Sequence, residues 1–89
     1  MAHHKLPRVA LYTTRSCPNC RRAKAALKHW GIPFVELDIE RNRRAAREYL
    51  QLRARAVPLV RIGDTVLQGY NARRLRTLLS EAGFALQRD

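Results

Sequence analysis

Three runs at the front of the chain limit its fold more than any other feature. Arg8 to Thr13 reads Arg-Val-Ala-Leu-Tyr-Thr, a β-rich run of the kind that forms a buried strand. Cys17 to Trp30 places Cys20, Ala23, Ala26, Leu27 and Trp30 at helical spacing, with Gly31 positioned to close the helix and Pro33 to prevent its continuation. Phe34 to Ile39 alternates: Val35, Leu37 and Ile39 share one face, while Glu36, Asp38 and Glu40 share the other and point to water or to neighbouring arginines. Strand, helix and strand within about thirty residues make a βαβ unit, whose two strands run parallel through a right-handed crossover.

The remaining chain extends this unit. A second helix is predicted from about Asn42 to Leu52, with Ala46, Tyr49 and Leu50 as its buried stripe. Val57-Pro58 opens a third strand, Leu59 to Ile62, and Gly63-Asp64 is a two-residue hairpin turn into Thr65-Val66-Leu67. Asn71 caps a last helix that carries Leu75, Leu78, Leu79 and Ala82 and ends at Gly83. The order βαβαββα describes an α/β fold, a mixed four-stranded sheet flanked by helices. With 89 residues, the whole chain is expected to form one domain around a single modest core, with residues 1–7 as a disordered N-terminus.

The two cysteines of the chain, Cys17 and Cys20, lie where the first strand gives way to the first helix. Two thiols separated by two residues are too far apart in extended chain, but the first turn of a helix brings them to disulfide distance. The same position offers unpaired N–H groups and partial positive charge, which stabilise a thiolate at Cys17. Pro18 falls at the first helical position, where its missing N–H costs nothing. Arg15, Arg21, Arg22 and Lys24 surround the pair, and no acidic residue precedes Glu36. The pattern reads as a redox dithiol. A zinc site would need three or four ligands; there is no second cysteine pair, and His29 reads as a helix-surface residue.

Charge bounds the partners. Lys and Arg number 18 against seven acidic residues, a net charge of +11, which could serve nucleic acid, anionic substrates or acidic proteins. The aromatic residues are few and not interleaved with the arginines, as stacking on bases would require, so nucleic acid is the disfavoured choice. Arg41-Asn42-Arg43-Arg44 with Arg47 reads as a solvated helix face, or as a surface that steers an acidic partner. Trp30 and Tyr49 read as packing residues; Tyr12 is open, because it ends a strand aimed at the dithiol. No segment has the length of a membrane span or of a signal sequence, and one close cysteine pair suits a reducing compartment, so a cytoplasmic monomer is expected.

Taken in order, Tyr12-Thr13-Thr14-Arg15-Ser16-Cys17-Pro18-Asn19-Cys20, Glu36-Leu37-Asp38-Ile39-Glu40, Val57-Pro58 and Gly69 resemble the glutaredoxin group of the thioredoxin superfamily over almost the whole chain. The resemblance implies that Cys17 is the nucleophile and Cys20 the resolving thiol. It also implies that Pro58 is a cis-proline packed on the active-site disulfide, leaving the backbone of Val57 free to pair with a substrate peptide. With Pro18 and Asn19 of the motif, it makes Val57, Pro58, Gly69, Tyr70 and Asn71 the substrate- and thiol-binding surface, the last three at the γ-glutamyl end of glutathione. The chain departs from the group's pattern at Thr14, commonly lysine, at Ala56, often threonine, and at Gly69-Tyr70-Asn71, usually two glycines and aspartate; Arg15, Arg53 and Arg55 are candidates to compensate. The Gly-aromatic pair resembles redoxins that serve ribonucleotide reductase and are reduced by thioredoxin reductase, and the Tyr-Thr-Thr segment resembles mycoredoxins.

The implied partners are disulfide-containing proteins, with glutathione, mycothiol or NADPH-driven thioredoxin reductase as electron source and no tightly bound cofactor. The rival from another class is a basic interaction or nucleic-acid-binding module, with cysteines that are incidental or regulatory.

Overall fold

The computed structural model describes residues 5–88, so Met1 to His4, more than half of the N-terminal segment expected to be disordered, lie outside the described residues. The elements are β1 (Val9–Thr13), α1 (Pro18–His29), β2 (Val35–Asp38), α2 (Arg43–Gln51), β3 (Leu59–Ile62), β4 (Thr65–Gln68) and α3 (Ala72–Glu81), the order read from the sequence. Boundaries differ by a residue or two. Ile39, expected at the end of β2, still donates its N–H to the Thr13 carbonyl at 2.9 Å.

All five residues of β1 are buried, so this strand needs cover on both faces and a partner on both edges. It has them. The sheet order is β2-β1-β3-β4, with β1 parallel to β2 and antiparallel to β3, and β3 antiparallel to β4. The β3–β4 turn pairs Ile62 with Thr65, and Gly63 takes a positive φ of 60° there, as a tight two-residue hairpin demands.

Side-chain alternation then divides the residues between two faces. Val9, Leu11, Val60, Ile62 and Leu67 pack against α1 and α3 through Ala23, Leu27, Trp30, Leu75 and Leu79. Ala10, Tyr12 and Leu59 point the other way and meet α2 at Ala45, flanked by the partly buried Val35, Leu37, Tyr49 and Leu52.

The stripe expected on α2 is corrected here. Tyr49 packs as read, but the buried position is Ala45, with Ala46 only half-buried, and Leu50 is 70% exposed, its inward place taken by Leu52. At roughly 100° per residue, Ala45, Tyr49 and Leu52 fall within one narrow stripe while Leu50 turns away from it. Each helix opens on a side-chain cap: Asn42 accepts the Ala45 N–H at 3.0 Å, Asn71 accepts the Arg74 N–H at 2.9 Å, and Cys17 Sγ accepts the Cys20 N–H at 3.1 Å. Among the described residues no helix is long and apolar enough to cross a membrane.

Candidate active site

β1 delivers the chain to Thr13, and Thr14 to Ser16 turn it into α1. Cys17 is the N-cap, in extended conformation, and Pro18 is the first helical residue. Cys17 and Cys20 are joined as a disulfide with their Cα atoms 5.1 Å apart, the separation one helical turn provides. The Cys20 N–H points at Cys17 Sγ, and the Arg21 N–H bonds the Cys17 carbonyl at 3.2 Å. No acidic residue occupies the first turn to offset the positive end of the helix.

The two cysteines are both buried, Cys20 at 3% exposure and Cys17 at 8%, but Cys17 caps the helix and is followed by the exposed Pro18 and Asn19. Asn19 is tied into the helix by Arg22, whose Nη1 donates to its Oδ1 at 2.7 Å.

Below Cys20 a small cavity of about 180 Å³ is bounded by Thr13, Lys24, Glu36 and Asp38, among others. Lys24 Nζ lies 2.7 Å from Glu36 Oε1, and the Thr13 hydroxyl donates to Glu36 Oε2 at 3.2 Å. Glu36 is exposed, as its alternation predicts, but its basic neighbour is a lysine of the dithiol helix rather than an arginine, a pairing the sequence reading does not contain. The signal was available: parallel pairing sets Glu36 beside Leu11, whose side chain lies on the α1 face. The nearby loop is held by the Arg15 N–H, which donates to Glu40 Oε1 at 2.8 Å.

A second loop pair is built from the other end of the fold. The Val57–Pro58 peptide is cis, and Pro58 is fully buried with Val57 half-buried. The Gly69 N–H donates to the Pro58 carbonyl at 2.8 Å, and the Arg55 N–H to Gln68 Oε1 at 2.7 Å, so the β4 end clamps the segment leading into β3. Gly69 has a φ of 79° and open space where a side chain would stand, leaving its backbone accessible. Tyr70 packs against the larger core cluster, and Asn71 spends its carbonyl oxygen on capping α3. Arg15, Arg53 and Arg55 are all exposed.

Tyr12 belongs to neither group. It is buried on the α2 face, with its ring 6.4 Å from that of Tyr49 and its hydroxyl donating to Glu48 Oε1 at 3.2 Å. Burial raises its pKa, the Glu48 charge raises it further, and Arg61 opposes both. Trp30 is core, with the Arg76 guanidinium 5.5 Å above its ring. Among the described residues no three His, Cys, Asp or Glu side chains gather as metal ligands.

This architecture is shared with known proteins. The family model for glutaredoxin matches residues 9–67, from the start of β1 into β4. A glutaredoxin-like 8.6 kDa protein from the rubredoxin operon of Clostridium pasteurianum is 26% identical over 74 residues, 82% of this chain and 99% of that one. Among solved structures, a thioredoxin-like protein superposes with a TM-score of 0.79 at 27% identity, covering 82% of this chain and 95% of its own. The glutaredoxin-like NrdH-redoxin of Escherichia coli, described as having a thioredoxin-like activity profile, gives a TM-score of 0.73 at 27% identity over 80% of this chain and 93% of that one.

Proposed function

The chain belongs to the glutaredoxin family of the thioredoxin superfamily, and from that membership we propose that it is a thiol-disulfide oxidoreductase acting through Cys17 and Cys20. In its reduced form the Cys17 thiolate, stabilised by the Cys20 N–H and the positive end of α1, attacks one sulfur of a substrate disulfide. The other substrate sulfur leaves as a thiolate. Cys20 then passes its proton to the departed substrate thiolate or to water and attacks Cys17 Sγ, expelling the second substrate sulfur as a thiolate and closing the intramolecular disulfide. Two electrons pass from the dithiol to the substrate.

The observation that carries this reading is the asymmetry of the pair: a capping Cys17 beside exposed Pro18 and Asn19, bonded to a Cys20 held deeper in the fold. Val57 next to Pro58 would pair with the substrate backbone, and Gly69, Tyr70 and Asn71 would meet a small thiol or a partner. A reduced pair of this kind works in a reducing compartment, so a cytoplasmic monomer is part of the proposal.

For the electron donor we favour a thioredoxin reductase drawing on NADPH over glutathione or mycothiol. Asn71 is engaged as a cap and brings no charge to the ammonium group of glutathione, and the structural likeness to NrdH-redoxin, described as thioredoxin-like in its activity profile, favours a reductase over either small thiol.

Cys17→Ser should abolish reduction of a protein disulfide such as insulin, while Cys20→Ser should retain turnover only of mixed disulfides with a small thiol. Absence of disulfide reduction by the wild-type protein, together with salt-sensitive nucleic-acid binding that Cys17→Ser leaves unchanged, would establish the basic-module reading instead. Offering the oxidised protein reductase with NADPH, glutathione and mycothiol in parallel identifies the donor by which one reduces it.

A further inference from the structure

The face of the sheet away from α1 and α3 is only partly covered. α2 packs its Ala45–Tyr49–Leu52 stripe there, and toward the start of β1 a cavity of about 470 Å³ remains. Small-molecule sites commonly span about 300–1,000 Å³, so its size is that of a binding site. Ala10, Tyr12 and Leu37 form an apolar floor, and Arg8, Arg44 and Arg61 stand around it from three separate segments.

The arginines are unusual for this charge-rich chain. Arg61 is half-buried in β3 on the core-facing side, paired in register with Ala10, where a solvated surface does not account for it. A half-buried arginine that lines a cavity presents its guanidinium to whatever occupies that cavity, and an anion there meets less competition from water than on an open surface. Its Nε donates to the Gly63 carbonyl at 3.0 Å. Among the described residues, the guanidinium groups of Arg8 and Arg44 have no hydrogen-bond or ion-pair partner, Arg8 bonding only through its backbone carbonyl to the Gly63 N–H. The cavity wall holds one carboxylate, Glu48, which accepts the Tyr12 hydroxyl, so three guanidinium groups face a single acid. That excess matches a dianion, and the planar fork of arginine suits phosphate oxygens.

We propose that this cavity binds a small phosphorylated organic anion of about mononucleotide size, its phosphate held by Arg8, Arg44 and Arg61 and its apolar part resting on Ala10, Tyr12 and Leu37. No cysteine lines the cavity, so the proposal stands apart from the oxidoreductase reading, and Cys17→Ser should bind the same ligand equally well.

Isothermal titration of the oxidised protein with ADP, pyrophosphate and adenosine, at physiological salt, tests it. ADP should bind more tightly than pyrophosphate, adenosine should not bind, and the amide signals of Ala10, Leu37 and Ala45 should shift. Arg61→Gln should weaken ADP by about tenfold or more, the scale of one charge-assisted hydrogen bond. Because Arg61 packs in a strand, the exposed pair Arg8→Gln/Arg44→Gln serves as a second variant whose folding is not at risk, with a comparable loss expected. Failure of ADP to bind at millimolar concentration, binding unchanged in both variants, or shifts centred on Gly69 to Asn71 would overturn the site. Pyrophosphate binding as tightly as ADP would overturn its assignment to an organic phosphate.

Discussion

The sheet face under α1 and α3 gathers twelve buried residues into one apolar cluster, whereas the face under α2 gathers four, one of them Tyr12 with its hydroxyl turned to a carboxylate. The helix that carries the dithiol is thus anchored on the strong face, through Ala23, Leu27 and Trp30. The weak face carries the cavity, the half-buried Arg61 and the arginine-rich helix. The contrast places the larger share of buried apolar side chains beneath the cysteine pair, where geometry must be held, and leaves the opposite side free to hold polar groups.

Core truncation is the strongest way to break this comparison. Leu27→Ala should cost about 2–5 kcal/mol in urea unfolding, as for a fully buried leucine. Tyr49→Ala, only half-buried on the other face, should cost clearly less; equal losses would mean that the two faces contribute alike.

Next in size are the caps. Asn71→Ala and Asn42→Ala each remove one side-chain acceptor and should each cost about 1 kcal/mol. Since α3 packs on the strong face and α2 on the weak one, amide hydrogen exchange should show the Asn42 variant loosening α2 alone. Global loss of protection from Asn42→Ala would erase the distinction.

Tyr12 gives a subtler, pH-dependent test. An unfolded tyrosine ionises near pH 10.0, and burial with the Glu48 charge raises the value in the folded protein. The neutral phenol therefore contributes stability that is fully present below the unfolded pKa and is lost as pH rises through the folded one. Wild-type thermal stability should fall more steeply than that of Tyr12→Phe as pH rises above about 10. Parallel curves would show that the weak face is wet enough to leave Tyr12 undisturbed. The smallest effect belongs to Leu50: Leu50→Gln should move stability by no more than about 0.5 kcal/mol, because the side chain stands in solvent.

Much of the fold was legible because its signals are local. A β-rich apolar run marks β1, alternation marks β2, Asn42, Asn71 and Cys17 stand at the helix starts, and Val57-Pro58 with Gly63-Asp64 marks the hairpin. Each depends on residues within a turn or two of one another. Leu50 was misread for lack of phase: choosing it over Leu52 as an inward position requires knowing which side of α2 meets the sheet. Glu36 is exposed, as the alternation of its strand predicts, but that pattern does not reveal that Lys24 of α1, rather than an arginine, stands beside it.

The sequence by itself determined the Cys17–Cys20 turn, since two residues between thiols at a helix start leave little freedom, and it determined the order of strands and helices. Only the tertiary structure decided which face Tyr12 occupies, that the Pro58 carbonyl is clamped by Gly69, and that three distant arginines ring one cavity. Those relations join segments far apart in the chain. They follow from strand pairing in the order β2-β1-β3-β4, a choice made by the packing of the whole core rather than by any local run of residues.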